Sequence, residues 1–341
     1  MRQPYNRNAT AMQPPYNRIA TSLQLETLNL KLKNVSLPQN LKRKKMKTLK
    51  IIKKEYQRVG YDAQDIEPVE YTEGYAEYDD QGRLTREERY EPDGTLNTLT
   101  VNTYDAEGNL AQTEQYDQDD ILLQKTVSQY DENQRLVAQS NYYGDASEEY
   151  VTKYYYDDDN NVVKQEVYVD GNLDYVEKTA TYADGRLDTE TENDDYGNAM
   201  YVHHYQYNEK GQVAVYTRDE VQNKDRRTYE FTYNDNGDRV KDLIYDYDMM
   251  LIAKIVRNYD EQNRQIEVVE EDLDTYRRIT MEYDGDKVVE NTMFDKKGEI
   301  TGWAEYEYAD DGRQSMAREF IHDEVEPENF RLLRETNYVR G

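Results

Sequence analysis

The side chains best suited to chemistry are three histidines, His203, His204 and His322, set among 71 aspartates and glutamates with no cysteine. His203 and His204 are adjacent, so in a strand they face opposite sides and cannot share a metal. His322 is far from both in sequence. No HExxH, no glycine-rich phosphate loop ending in Gly-Lys-Ser/Thr and no GxSxG stretch occurs. Without cysteine there is no disulfide scaffold, thiolate metal site or cysteine nucleophile. Carboxylates are so numerous that no catalytic pair stands out. Glycan hydrolysis would need two carboxyls about 5 Å or about 6.5–9.5 Å apart in one pocket. The expectation is a protein that is not an enzyme, with no cofactor and no metal.

Two oxygen-rich stretches, Asp157–Asn161 and Asn234–Asp238, raise calcium. Neither has the spacing or the terminal glutamate of an EF-hand loop, and turn formation explains both. Binding chemistry is better represented. The chain has 35 tyrosines and a single tryptophan, Trp303. Tyrosine rings offer contact area at low entropic cost, for a protein or a sugar.

The elements that position these residues are repeated. Tyr78, Tyr104, Tyr130, Tyr156, Tyr182, Tyr207, Tyr233, Tyr259, Tyr283 and Tyr308 follow one another at steps of 24 to 26 residues. A fixed period of this kind is the signature of repeat architecture. Between them runs a less regular series that includes Tyr90, Tyr116, Tyr143, Tyr168, Tyr245, Phe294 and Phe320. After the aromatic comes a turn. Asp79 with Gly82, Asp105 with Gly108 and Asp295 with Gly298 have the spacing of a type I turn followed by a left-handed glycine. Gly211 and Gly237 occupy the same place in their units. Asp170-Gly171, Asp184-Gly185 and Asp284-Gly285 suit two-residue turns. The stretches between turns are rich in Thr, Tyr and Val, as strands are. Even separations, such as Leu84 to Tyr90 and Leu96 to Tyr104, predict Leu and Tyr rows along the sheet. The fold class is therefore all-β: a repetitive antiparallel meander of about 20 strands in about ten 26-residue units. It is strongly twisted or coiled, and either open or a partly closed shell.

The segments Tyr78–Leu84 and Tyr104–Leu110 resemble the YD repeats of Rhs-type and teneurin-type proteins, and the resemblance covers residues 75–320. It implies a long antiparallel strand spiralling into a hollow β-shell. Some members of that family enclose a toxin and others act at cell surfaces. Here no Asp-Pro of the family's self-cleaving core occurs and no toxin domain follows residue 320.

The formal net charge is −28, unevenly spread: residues 1–58 hold 14 Lys/Arg and 2 Asp/Glu, and the remainder carries a net −40. Residues 1–60 read as a basic, disordered extension, with Met46 as an alternative start. Residues 61–341 read as the repeat domain, with a C-terminal cap from about 314. The acidic body should repel nucleic acid and favour basic partners. No apolar run reaches membrane-spanning length, and no signal peptide is legible. The default location is cytoplasmic, or the cell surface if the family resemblance governs. The expected function is a non-enzymatic scaffold that binds a protein with a basic surface, immunity-like or chaperone-like. The alternatives are a carbohydrate-binding adhesin and, behind it, a glycan-acting enzyme. The irregular turn series is the expected binding edge, with Tyr143, Tyr168, Tyr196, Tyr245 and Trp303 as its candidate residues.

Overall fold

The computed structural model describes residues 47–59, 65–144, 150–323 and 329–341. The extension read from residues 1–45 lies outside them. The described chain is an antiparallel meander of 22 strands, from β1 (Thr48–Val59) to β22 (Phe330–Arg340), each paired with its predecessor. The last strand then returns to the first: β22 pairs with β1 from Leu49↔Arg340 to Glu55↔Arg334. Of the two closures left open by the sequence, the ring is the one formed, and every described strand has a paired neighbour on each side. The 22 strands give the ring a circumference of about 105 Å, at about 4.8 Å per strand. Side chains do not fill a ring that wide. Buried apolar residues are accordingly few and scattered, among them Ala76, Val167, Ile244, Val268 and Ala317.

Two sequence boundaries move. Thr48–Val59 was assigned to the basic extension, yet it is β1, the strand that closes the ring. Its basic side chains find acidic partners on neighbouring strands: Lys53 with Glu73 and Arg58 with Asp323. Glu55 in turn meets Arg334 of β22 at 3.3 Å. The proposed cap from 314 is not a separate structure, because Gln314–His322 is β21 and leads into β22. Backbone bonds from Lys47 to Gly341 (3.1 Å) and from Tyr78 to Lys47 (2.9 Å) knit the two ends of the ring together.

The Leu–Tyr rows do not form as expected. Tyr78 pairs with Leu84 and Glu77 with Arg86, so Thr85 is an extra residue in β3 (Leu84–Tyr90). The same bulge occurs at Asn97 in β4 (Leu96–Tyr104) and at Ala111 in β5 (Leu110–Tyr116). Each bulge reverses the inside–outside parity, so an even separation no longer means a shared face.

Because the meander runs up and down, its turns collect at two rims. Ten connections, beginning with that between β2 (Asp65–Tyr78) and β3, carry the regular tyrosine series. The opposite rim carries eleven connections, beginning with that between β1 and β2. They are called the regular and the irregular rim below.

Candidate functional site

At the regular rim the repeat residues form one continuous device. Nine tyrosines of the series donate their phenol to a main-chain carbonyl of the preceding unit. Examples are Tyr104 to Leu84 (2.8 Å), Tyr156 to Leu136 (2.7 Å), Tyr233 to Val213 (2.7 Å) and Tyr308 to Val288 (2.7 Å). The acceptor lies 20 residues back in each of these cases. The ladder thus fastens each hairpin to the one before it. Burial pushes the phenols of Tyr104, Tyr156, Tyr182, Tyr233 and Tyr308 above the ordinary tyrosine value. The turns themselves are capped by carboxylates. Asp131 Oδ1 accepts the backbone N–H groups of Asn133 and Arg135, each at 2.9 Å. These bonds hold its carboxyl below the usual aspartate range. Left-handed backbone is needed at the fourth turn residue, which is Gly82 (φ 82°) or Gly108 (φ 98°) but also Gln134 (φ 63°) and Asn263 (φ 62°). Gly211 and Gly237 take the same conformation at φ 80° and 87°. One turn differs from the sequence expectation. Asp284 ends β18 (Tyr276–Asp284) paired with Lys287, so the two-residue turn is Gly285-Asp286 rather than Asp284-Gly285. Only Gly285 has positive φ there, as in a type II′ turn, whereas Asp184 and Gly185 both do, as in type I′.

An arginine clamp belongs to the same device and escaped the sequence reading. Arg83 Nε donates to Asp79 Oδ2 at 2.6 Å while its guanidinium lies 4.4 Å from the Tyr104 ring centre. Arg135 joins Asp131 and Tyr156 in the same way, and Arg264 joins Asp260 and Tyr283. One cation thus ties the turn of one unit to the aromatic of the next. The signal was present as the arginine five residues after Tyr78, Tyr130 and Tyr259.

The irregular rim uses the same turns without the ladder. Asp117, Asp194 and Asp246 each accept backbone N–H groups of their own turns, and among the described residues no arginine or lysine pairs with them. Apolar side chains stand beside these free carboxylates. Among the described residues seventeen large hydrophobics are exposed; fourteen lie at or next to the irregular rim, and only Leu110, Ile266 and Val339 lie at the regular one. The most exposed are Tyr196 (85%), Leu273 (70%), Met250 (65%) and Tyr247 (62%).

The five candidate binding residues all sit toward this rim, spread around the ring and on both faces. Tyr196 projects from a turn, and Tyr143 is half exposed with its ring edge against Tyr150. Tyr168 is tied into a cluster, donating to Glu166 at 2.8 Å beneath Lys153. Tyr245 donates to Glu230 at 3.1 Å. Trp303 stacks on Phe320 at 4.6 Å and meets Phe330 edge-on at 4.9 Å, so packing neighbours occupy its ring. The sequence candidates omit other exposed irregular-rim residues, among them Tyr247 and the non-aromatic Ile121, Met250 and Leu273. Their signal was an apolar residue inside an otherwise acidic turn.

Two acidic clusters bear on catalysis and metals. Beside β1–β4 a cleft of about 580 Å³ is lined by Lys50, Glu70, Tyr75, Glu88 and Tyr90. Desolvation opposes ionisation of Glu88, but the Tyr90 phenol and Arg86 outweigh it and hold the carboxyl below its usual value. It is therefore an anion, not a proton donor, and Tyr90 is pushed up to about 12 by the same contact. In the second cluster, Glu190 and Glu192 on β11 (Arg186–Asn193) face His203 on β12 (Ala199–Tyr207). Their ligand atoms lie within 4.8 Å of one another. Lys178 reaches both carboxylates, at 3.0 and 3.1 Å. His203 stands in register with Arg218 on β13 (Val213–Glu220), while His204 meets Asp219 on the opposite face. The oxygen-rich turn at Asp157 is occupied by its own chain: Oδ1 accepts from Asp159 and Asn161.

No protein-family model matches the chain, and no curated protein matches it. Among solved structures it is similar to "Crystal Structure of TcdB2-TccC3-TEV" at 13% identity, over 72% of this chain and 15% of that one, with a TM-score of 0.34. The values for "Crystal Structure of TcdB2-TccC3-Cdc42" are 11% identity, 85% and 19% coverage, and a TM-score of 0.35. A porin-like protein from Bacteroides uniformis aligns at 10% identity over 87% of this chain and 98% of its own, with a TM-score of 0.32. The chain thus spans less than a fifth of the first two structures.

Proposed function

We propose that the chain is a non-enzymatic scaffold whose irregular rim captures a macromolecular partner with a basic, partly apolar surface. One observation carries this reading: among the described residues fourteen of the seventeen exposed large hydrophobics lie at or next to the irregular rim, beside turn aspartates such as Asp117, Asp194 and Asp246 that no arginine or lysine pairs with. Apolar atoms supply burial, and unpaired carboxylates supply steering toward a basic partner.

The ring is suited to work in water. Following the register, Lys125, Lys254 and Arg318 project midway along one face, and Lys178 midway along the other, with Arg227 and Arg277 on that second face nearer the irregular rim. A lysine or arginine facing lipid at mid-depth costs about 2–4 kcal/mol, and both faces carry several. The test compares the wild-type chain with a variant carrying Tyr196→Ser, Tyr247→Ser, Met250→Ser and Leu273→Ser as bait, at low and high salt. A basic protein held by the wild type at low salt, and lost both at high salt and in the variant, is the expected result. Identical captures by the two baits would overturn the reading.

A further inference from the structure

We propose that Glu190, Glu192 and His203 form a three-ligand site for a zinc-class divalent cation, with Lys178 as a tethered stand-in for the metal. This inference is independent of the irregular rim. It concerns the middle of neighbouring strands, on the face that also carries Tyr205 and Tyr216.

The register brings the donors together. Glu190 pairs with His203 and Glu192 with Tyr201, so both carboxylates and the imidazole project from one face of β11 and β12. Lys178 on β10 (Asn172–Ala183) pairs with Glu192 from the other side. Two carboxylates on one strand with a single lysine between them would be an ordinary surface network. The histidine makes the difference. Only 9% of His203 is exposed, and its Nε2 is buried with no hydrogen-bond partner. That nitrogen points into the cluster, 3.9 Å from Glu192 Oε1, too far for a hydrogen bond.

The other ring nitrogen is already arranged as a metal-bound histidine requires. Nδ1 lies 2.7 Å from the Tyr216 hydroxyl oxygen. With the proton on Nδ1, that oxygen accepts it, and the Nε2 lone pair is directed at the carboxylates. Liganding histidines are oriented by such a bond from their second nitrogen. One imidazole with two carboxylates suits zinc and neighbouring divalent metals, at about 2.0–2.2 Å per bond. The donors must close by about 1–2 Å from their present spread to reach those bond lengths, which two glutamate side chains can do by rotation. The Lys178 ammonium lies where the cation would sit. It neutralises one of the two carboxylate charges and must swing aside when a divalent ion enters.

The lysine gives the test its sign. The full-length chain, freed of metal by chelation, is titrated with Zn²⁺ by calorimetry and with Co²⁺ by absorbance. One saturable site is expected. His203→Ala and the Glu190→Gln/Glu192→Gln pair should weaken it by about 100-fold or more, the upper range for losing even an outer-sphere partner. Lys178→Met should tighten it by about tenfold, because a competing cation a few ångströms away is removed. Far-UV circular dichroism of each variant checks that the ring still forms, and Lys178→Gln repeats the charge removal with a polar side chain. Absence of a saturable site, His203→Ala binding like wild type, or folded Lys178 variants binding no tighter would each overturn the proposal.

Discussion

The two rims are made by the same turns and do different work. At the regular rim Asp131 caps its turn, Arg135 clamps that aspartate, and the Arg135 guanidinium covers Tyr156 of the next unit. At the irregular rim Asp246 caps its turn in the same way, but Tyr247 and Met250 beside it point into solvent. The turn chemistry is thus common property; the ladder belongs to the regular rim, and the arginine clamp to its turns at Asp79, Asp131 and Asp260. Where side chains are committed to the neighbouring unit, the surface is polar and closed. Where they are not, it is acidic and apolar, and open to a partner.

The largest effect should come from a charge buried midway between the rims, in the strand Arg239–Tyr245. Asp242 is 2% exposed and accepts from Arg239 at 2.8 Å and Arg257 at 3.0 Å. Asp242→Ala leaves two guanidiniums without their anion and should cost about 3–5 kcal/mol in urea denaturation. Leu273→Ser at the irregular rim, with 70% exposure, should change stability by no more than about 0.5 kcal/mol. Equal effects would mean that the exposed Leu273 side chain supports the ring as much as a buried ion pair does.

Alkali provides a second, collective probe. The ladder phenols of Tyr104, Tyr156, Tyr182 and Tyr233 have folded pKa values above the unfolded value of 10.0. Between those two values the unfolded chain has released protons that the folded chain retains. The ladder's contribution is therefore complete below about pH 10 and is lost as pH rises through the folded pKa values. Circular dichroism against pH should show a steep loss of structure above about pH 10, led by regular-rim amides in hydrogen exchange. A loss led by the irregular rim would contradict the ladder.

Turn glycines sharpen the comparison by cancelling it. Gly82 at the regular rim and Gly94 at the irregular rim have φ of 82° and 86°, with open space where a Cβ would stand. Alanine at either should cost about 1–2 kcal/mol from the left-handed backbone alone, and the two values should agree. The smallest effect has the opposite sign. Gln134 and Met249 hold left-handed backbone, at φ 63° and 59°, without being glycine. Glycine at either should raise the urea midpoint slightly, by a few tenths of a kcal/mol, since relieved strain is partly offset by a freer unfolded chain.

Much of this was legible in the sequence because the period is local. Tyr104, Asp105 and Gly108 declare a strand end, a cap and a left-handed residue within five positions. The meander and its two turn series follow from that repetition. Three features were not legible, for identifiable reasons. Ring closure depends on Thr48–Val59, whose basic residues resemble a tether until Glu73 on the next strand meets Lys53 and Asp323, far along the chain, meets Arg58. The bulges at Thr85, Asn97 and Ala111 leave no mark in composition, so the parity argument carried the leucines to the wrong partners. The pairing of Glu190 with His203 needs the register of β11 against β12, which no single segment contains. The bulk of Tyr196 and Met250 at the tips of acidic turns was visible, but their exposure was not.

The most direct test of the division between the rims is a pair of urea denaturation curves. One variant carries Tyr182→Phe, Tyr233→Phe and Tyr283→Phe, removing three ladder bonds from units far enough apart to add. The other carries Tyr196→Ser, Tyr247→Ser, Met250→Ser and Leu273→Ser. With each ladder bond worth about 1 kcal/mol, the first variant should lose about 3 kcal/mol and the second less than about 1. Equal losses, or a larger loss from the irregular rim, would mean that its apolar side chains hold the ring together rather than await a partner.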